Sequence, residues 1–178
     1  LERYDEAIAA FGEAGDLFGR AEALEGKLAT QVALGGLSYG KLNDVTPAER
    51  ALDELGDEEP SLRARLLGTI ALAYWAAQQP EKARAKAAEA LALAQAQRDD
   101  CLASDIRTQL ALSELQRMQP KNALKTWQSA VADARRAGDL IREEAALQRI
   151  PMVLHLLGEV EEAKRTVQRA DSLNRTVH

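Results

Sequence analysis

Residues 120–130, PKNALKTWQSA, decide how this chain is read. Pro120 opens a helix, where its missing N–H costs nothing. Ala123 follows, then a bulky Trp127 four residues on, then Ala130. The same figure returns four more times. It stands in Tyr4-Asp5-Glu6-Ala7 with Phe11 and Ala14, and in Val45-Thr46-Pro47-Ala48 with Leu52 and Leu55. It recurs in Pro80-Glu81-Lys82-Ala83 with Ala87 and Ala90, and in Val160-Glu161-Glu162-Ala163 with Val167 and Ala170. The anchoring alanines Ala7, Ala48, Ala83, Ala123 and Ala163 are spaced by 41, 35, 40 and 40 residues. Such spacing is the mark of a repeat.

A second helical segment precedes each anchor after the first. Residues 20–41, 61–78, 101–118 and 140–157 carry apolar positions at i, i+3 and i+4, as in Leu62, Leu66, Leu67, Ile70, Ala71 and Tyr74. Short breakers divide the two helices of a pair: Asn43-Asp44, Gln79-Pro80, Gln119-Pro120 and Gly158-Glu159. Gly56-Asp57, Asp99-Asp100 and Gly138-Asp139 separate each pair from the next, with Asp placed to cap the helix that follows. The unit is helix–turn–helix of about 40 residues. The reading is one repeat domain over 1–178: a half unit 1–18, then units 19–56, 57–98, 99–137 and 138–178, with about nine helices. The chain opens on a second helix, so its first helix is expected upstream, in a longer array or a fragmented one.

Composition agrees. The chain has 178 residues, 46% hydrophobic and only 4% aromatic, with alanine the commonest residue. Few β-branched residues and few glycines and prolines favour helix over sheet. The formal net charge of −5, without a long basic run, argues against nucleic-acid binding, which needs clustered cations. No apolar run approaches the length a membrane helix needs, so membrane insertion is not expected. One cysteine, Cys101, excludes an internal disulfide and any multi-Cys zinc site. No signal peptide is visible, and a cytoplasmic location is expected.

Pro151 sits inside a helical pattern. It removes a hydrogen bond and clashes with the preceding turn, so a kink or break is predicted near Ile150.

These residues resemble the tetratricopeptide repeat family. Its pattern places a small residue and then an aromatic on the first helix of each pair, and Ala, a bulky residue and Ala on the second. Gly36 with Tyr39 and Ala71 with Tyr74 fit the first-helix positions; Ala111 with Glu114 and Pro151 with Leu154 fit them incompletely. The long period and the joint at 135–140 are similar to a bacterial subtype found in signalling ATPases and in transcription activators of the maltose-regulator type. The resemblance implies an all-α fold, a right-handed solenoid of antiparallel helical hairpins.

The resemblance also implies a concave face lined by the first helices. The family's groove positions fall on Thr30, Ala33, Leu37, Gly40 and Lys41; on Arg65, Gly68, Leu72, Trp75 and Ala76; on Asp105, Thr108, Leu112, Leu115 and Gln116; and on Ala145, Gln148, Met152, His155 and Leu156. The binding candidates are Arg65, Leu72, Trp75, Asp105, Leu112, Leu115, Gln116, Gln148, Met152 and His155, with Trp75 as the leading anchor. The partner expected is a peptide or protein segment. The alternative is a sensor or self-association arm of a larger bacterial regulator, with a homodimer filling the groove. The family's carboxylate-clamp function is disfavoured, because Ala33, Leu37, Gly68 and Leu72 stand where that function needs Lys and Asn.

Catalysis is not expected, and neither a cofactor nor a metal is. The two histidines are His155 and His178. Carboxylate pairs such as Glu161-Glu162 read as solvated faces with i,i+4 support, for example Glu161 to Arg165. Gly35-Gly36 lacks the Lys-Ser/Thr ending of a phosphate loop.

Overall fold

A computed structural model describes residues 1–34 and 44–177. Gly35, Gly36, Leu37, Tyr39, Gly40, Lys41, Asn43 and His178 lie outside the described residues, as does the side chain of Ala33. Among the described residues the chain is all-α. Its helices are α1 (Glu2–Ala14), α2 (Leu17–Leu34), α3 (Thr46–Leu55), α4 (Pro60–Ala76), α5 (Pro80–Ala96), α6 (Asp100–Gln116), α7 (Pro120–Ala137), α8 (Leu140–Leu147), α9 (Ile150–Leu156) and α10 (Val160–Val177). Counting α8 and α9 as one interrupted helix gives the nine expected.

From α4 onward, helices begin at residues 60, 80, 100, 120, 140 and 160. The regularity comes from one turn used again and again. Gln78, Arg98, Met118, Gly138 and Gly158 all take positive φ. In each turn this residue donates its N–H three residues back, and its successor donates five back, as in Gln78 to Trp75 and Gln79 to Tyr74. That is the Schellman C-cap, which satisfies the last carbonyls of a helix. The successor then starts the next helix. Asp99 and Asp139 do so with their side chains, accepting from the N–H of Leu102 and Arg142 at 2.9 Å. Gln119 does so without a side-chain cap, and Pro120 follows it in the first helical turn, where its missing N–H costs nothing.

The break at Pro151 falls where its chemistry puts it. Helix α8 ends at Leu147, the residue four before the proline. That carbonyl would have received the N–H that proline lacks. Helix α9 restarts with Pro151 in its first turn.

The chain divides into two compact units, Leu1–Leu93 and Ala94–His178, with the division inside α5. In the first unit α2 packs against α1, α3 and α4. Leu24, Leu28, Ala48, Leu52, Leu66, Leu67 and Ile70 are buried there. In the second unit α6 packs on α7 and α8, and α10 packs on α8 and α9. One apolar cluster runs through them: Ala111, Ala123, Trp127, Ala130, Val131, Ala146, Leu147, Ile150, Val153 and Leu154. Alanines dominate because close helix contacts leave no room for larger side chains. Ala83, Ala87, Ala90, Ala123 and Ala130 are fully buried.

Two details differ from the sequence expectation. The surface pairs of α10 are Glu161 with Lys164 and Glu162 with Arg165, three residues apart rather than four. Asp57, placed in sequence to cap the helix that follows, does not: the N-cap of α4 is Glu59, without a side-chain cap bond.

Candidate functional site

The predicted groove residues fall in both units. In the first, Arg65 is exposed and pairs with Glu22 of α2 at 2.8 Å. Leu72 and Trp75, one turn apart on α4, are half-buried, and Gly68 is buried. Beside them Tyr74 turns inward. Its hydroxyl donates to Glu49 of α3 at 2.8 Å, and the Lys82 ammonium lies 5.2 Å from its ring. Burial, then the bond to the Glu49 carboxylate, pushes the Tyr74 phenol up to about 12.

In the second unit the candidates separate into two kinds. On α6, Asp105, Leu112, Leu115 and Gln116 are half-buried, and Leu112 and Leu115 lean on the core cluster. Asp105 faces Arg142, whose Nε lies 3.0 Å from both its oxygens. Burial raises the Asp105 carboxyl, and the bond from Arg142 opposes that rise. Arg142 also reaches Asp139, whose carboxyl is held low by the Arg142 N–H and then by its guanidinium.

On α8 and α9 the groove positions are open. Ala145, Gln148, Met152, His155 and Leu156 are all exposed. Met152 is 49% and Leu156 64% accessible, while Val153 and Leu154 between them are buried. Ile141, also 64% accessible, adds a large aliphatic group to α8. Gln148 donates to Glu144 across one turn. The exposed apolar set thus stands on helices whose opposite sides are fixed in the core. Buried neighbours of this kind hold the backbone beneath the exposed side chains, which lowers the ordering cost of receiving a partner.

Sequence reasoning missed the ionic cross-links of this unit. Asp133 is buried on α7 between Arg107 of α6 and Arg136 of its own helix, and Arg136 also reaches Asp100 at 2.8 Å. Glu143, buried on α8, accepts from Arg135 of α7 and Arg169 of α10. Such pairs fix helix against helix, since losing one partner leaves a buried charge uncompensated. Glu114, the departure from the aromatic pattern, is buried and accepts from Thr126 at 2.7 Å. Among the described residues no cluster of three or more His, Cys, Asp or Glu side chains could hold a metal, and no helix is long and apolar enough to cross a membrane.

No family model matches this chain, and no curated protein matches it.

Proposed function

We propose that this chain is a non-catalytic scaffold of the tetratricopeptide type, whose first helices bind a peptide or protein segment. The repeat reading is supported by helix starts at 60, 80, 100, 120, 140 and 160 and by one C-cap geometry at every turn from Gln78 to Gly158. It is supported again, within each unit, by first helices that meet: α2 touches α4, and α6 touches α8.

One observation carries the binding reading. All five groove positions of α8 and α9 are exposed, and Met152 and Leu156 are large apolar groups among them. A partner segment that buries both gains at most about 1–2 kcal/mol from each side chain, since each is already partly covered. Leu72 and Trp75 on α4 offer a second, shallower apolar patch in the other unit.

The test is partner capture with the intact chain and three variants. Met152→Asp and Trp75→Ala lower recovery, each for the patch it alters. Gln128→Asp, on the exposed face of the second helix α7, leaves recovery unchanged. Equal recovery by all four folded proteins would remove the first helices from the binding surface.

A further inference from the structure

Met152 is bracketed by groups that can meet an acid. Arg149, in helical conformation at the start of α9, stands three residues before it, and His155 three after. Residues so spaced are neighbours on a helix surface. Both are exposed, and among the described residues Arg149 meets no carboxylate. The carboxylates of α8 are already engaged. Glu143 is buried and held by Arg135 and Arg169, and Glu144 accepts from Gln148.

His155 also lines a cleft of about 450 Å³ between α9 and α10. Val160, Ala163 and Val167 give it aliphatic walls, and its polar members are His155, Lys164 and Gln168. Among the described residues no carboxylate lines it. Glu159 and Glu161, on either side of Val160 in the chain, are exposed and stand outside its walls. Lys164 reaches Glu161 at 2.8 Å, with side chains 64% and 78% accessible. A pair so open to water is weak enough to exchange for the carboxylate of a partner. An imidazole donates an N–H whatever its charge. Val160 and Val167 are 42% and 44% accessible, so their burial remains to be gained.

Aliphatic walls with cations and an amide beside them suit one chemistry. An aliphatic side chain enters the cleft, and carboxylates next to it meet Lys164 and His155 there and Arg149 on the far side of Met152. A basic segment would set cation against cation. The choice is made locally, because the chain as a whole carries −5 and its average field favours a basic partner.

We propose that the surface around Met152 and the adjoining α9–α10 cleft take an acidic segment of a partner protein, in which large aliphatic residues are interspersed with Asp or Glu. The proposal rests on the reading of α8 and α9 as a binding surface and names the chemistry of what they bind.

The probes are two labelled peptides, capped at both ends so that only side chains carry charge. One repeats Leu-Glu-Glu-Leu and the other Leu-Lys-Lys-Leu. Fluorescence anisotropy with the intact chain is expected to show saturable binding of the acidic peptide, tighter than that of the basic one and weakened by salt. Arg149→Glu and Lys164→Glu, both exposed changes, each weaken it about fivefold, the worth of one exposed ion pair and the repulsion put in its place. Lys125→Glu, the same charge change on the exposed face of α7, leaves it unchanged. Binding that Met152→Asp weakens but that ignores Arg149→Glu and Lys164→Glu, or that prefers the basic peptide, overturns the acidic partner and leaves the surface standing. No binding of the acidic peptide overturns the proposal too, while loss of partner capture in Met152→Asp still upholds the surface. Self-association of the chain that Lys164→Glu abolishes overturns it as well, because a second copy would then fill the cleft.

Discussion

Arg142 holds Asp105 through its Nε, 3.0 Å from both carboxylate oxygens and thirty-seven residues away in the chain. The same guanidinium reaches Asp139 at the start of its own helix. One side chain therefore ties α8 to α6 and completes its own helix cap. The two carboxyls respond in opposite senses. Asp139 is depressed in the folded chain, so its stabilisation is full above the ordinary carboxylate value of 3.8 and is lost as pH falls through its lowered value. Asp139→Ala should cost about 1 kcal/mol at neutral pH, with the gap to wild type closing in acid. Asp105 is raised by burial, so its contribution is lost as pH rises through its folded value. Asp105→Asn should cost less at neutral pH than Asp139→Ala, and the gap should widen in acid. Denaturant melts at neutral and acid pH measure both.

Tyr74 is predicted to titrate well above the ordinary phenol value. Its phenol is raised to about 12 from an ordinary 10.0. The stabilisation this represents is present below 10.0 and is lost as pH climbs towards 12. Ultraviolet titration should show a late phenolate step that Tyr74→Phe removes. Glu49→Gln should lower that step only partially, because burial is the larger cause.

The turn geometry predicts gains from glycine. Gln78, Arg98 and Met118 hold positive φ without being glycine. Such a residue bears roughly 1–2 kcal/mol of steric cost. Met118 is 85% exposed, so Met118→Gly sacrifices little packing. It should stabilise by roughly 0.5–1 kcal/mol after the flexibility glycine adds to the unfolded chain. Gly138→Ala should lose about 1 kcal/mol through backbone strain alone, since a Cβ there meets open space. Thermal melts of the two variants should move in opposite directions.

The two tryptophans should separate by quenching. Trp127 is fully buried on α7, and Trp75 is half-buried on α4. Acrylamide should quench Trp75 in a Trp127→Phe protein far more than Trp127 in a Trp75→Phe protein. Trp127→Ala should destabilise by roughly 3–5 kcal/mol, the ordinary loss for a large core aromatic.

Much of the helical frame was legible in the residues themselves. Pro80 and Pro120 mark helix starts, Asp99 and Asp139 mark caps, and Pro151 marks a break, because each residue type has a local backbone consequence. The alanine figure is legible for the same reason: only small residues fit where helices touch. The left-handed turns at Gln78, Arg98 and Met118 were not legible. Nothing in those side chains favours that conformation, and the demand comes from the helices they join. The link from Arg142 to Asp105 was also hidden, since it depends on how α8 lies against α6. The groove positions came from resemblance, and exposure alone separates them. Met152 and His155 stand open, whereas Leu112 and Leu115 lean on the core.

Hydrogen exchange of the intact chain, with and without a captured partner, tests the scaffold reading most directly. The account predicts slowed exchange on the first helices, strongest across α8 and α9 around Met152 and Leu156 and present on α4 around Trp75 if that patch is engaged. Protection confined to the second helices α7 and α10, with α4, α8 and α9 unchanged, would contradict it.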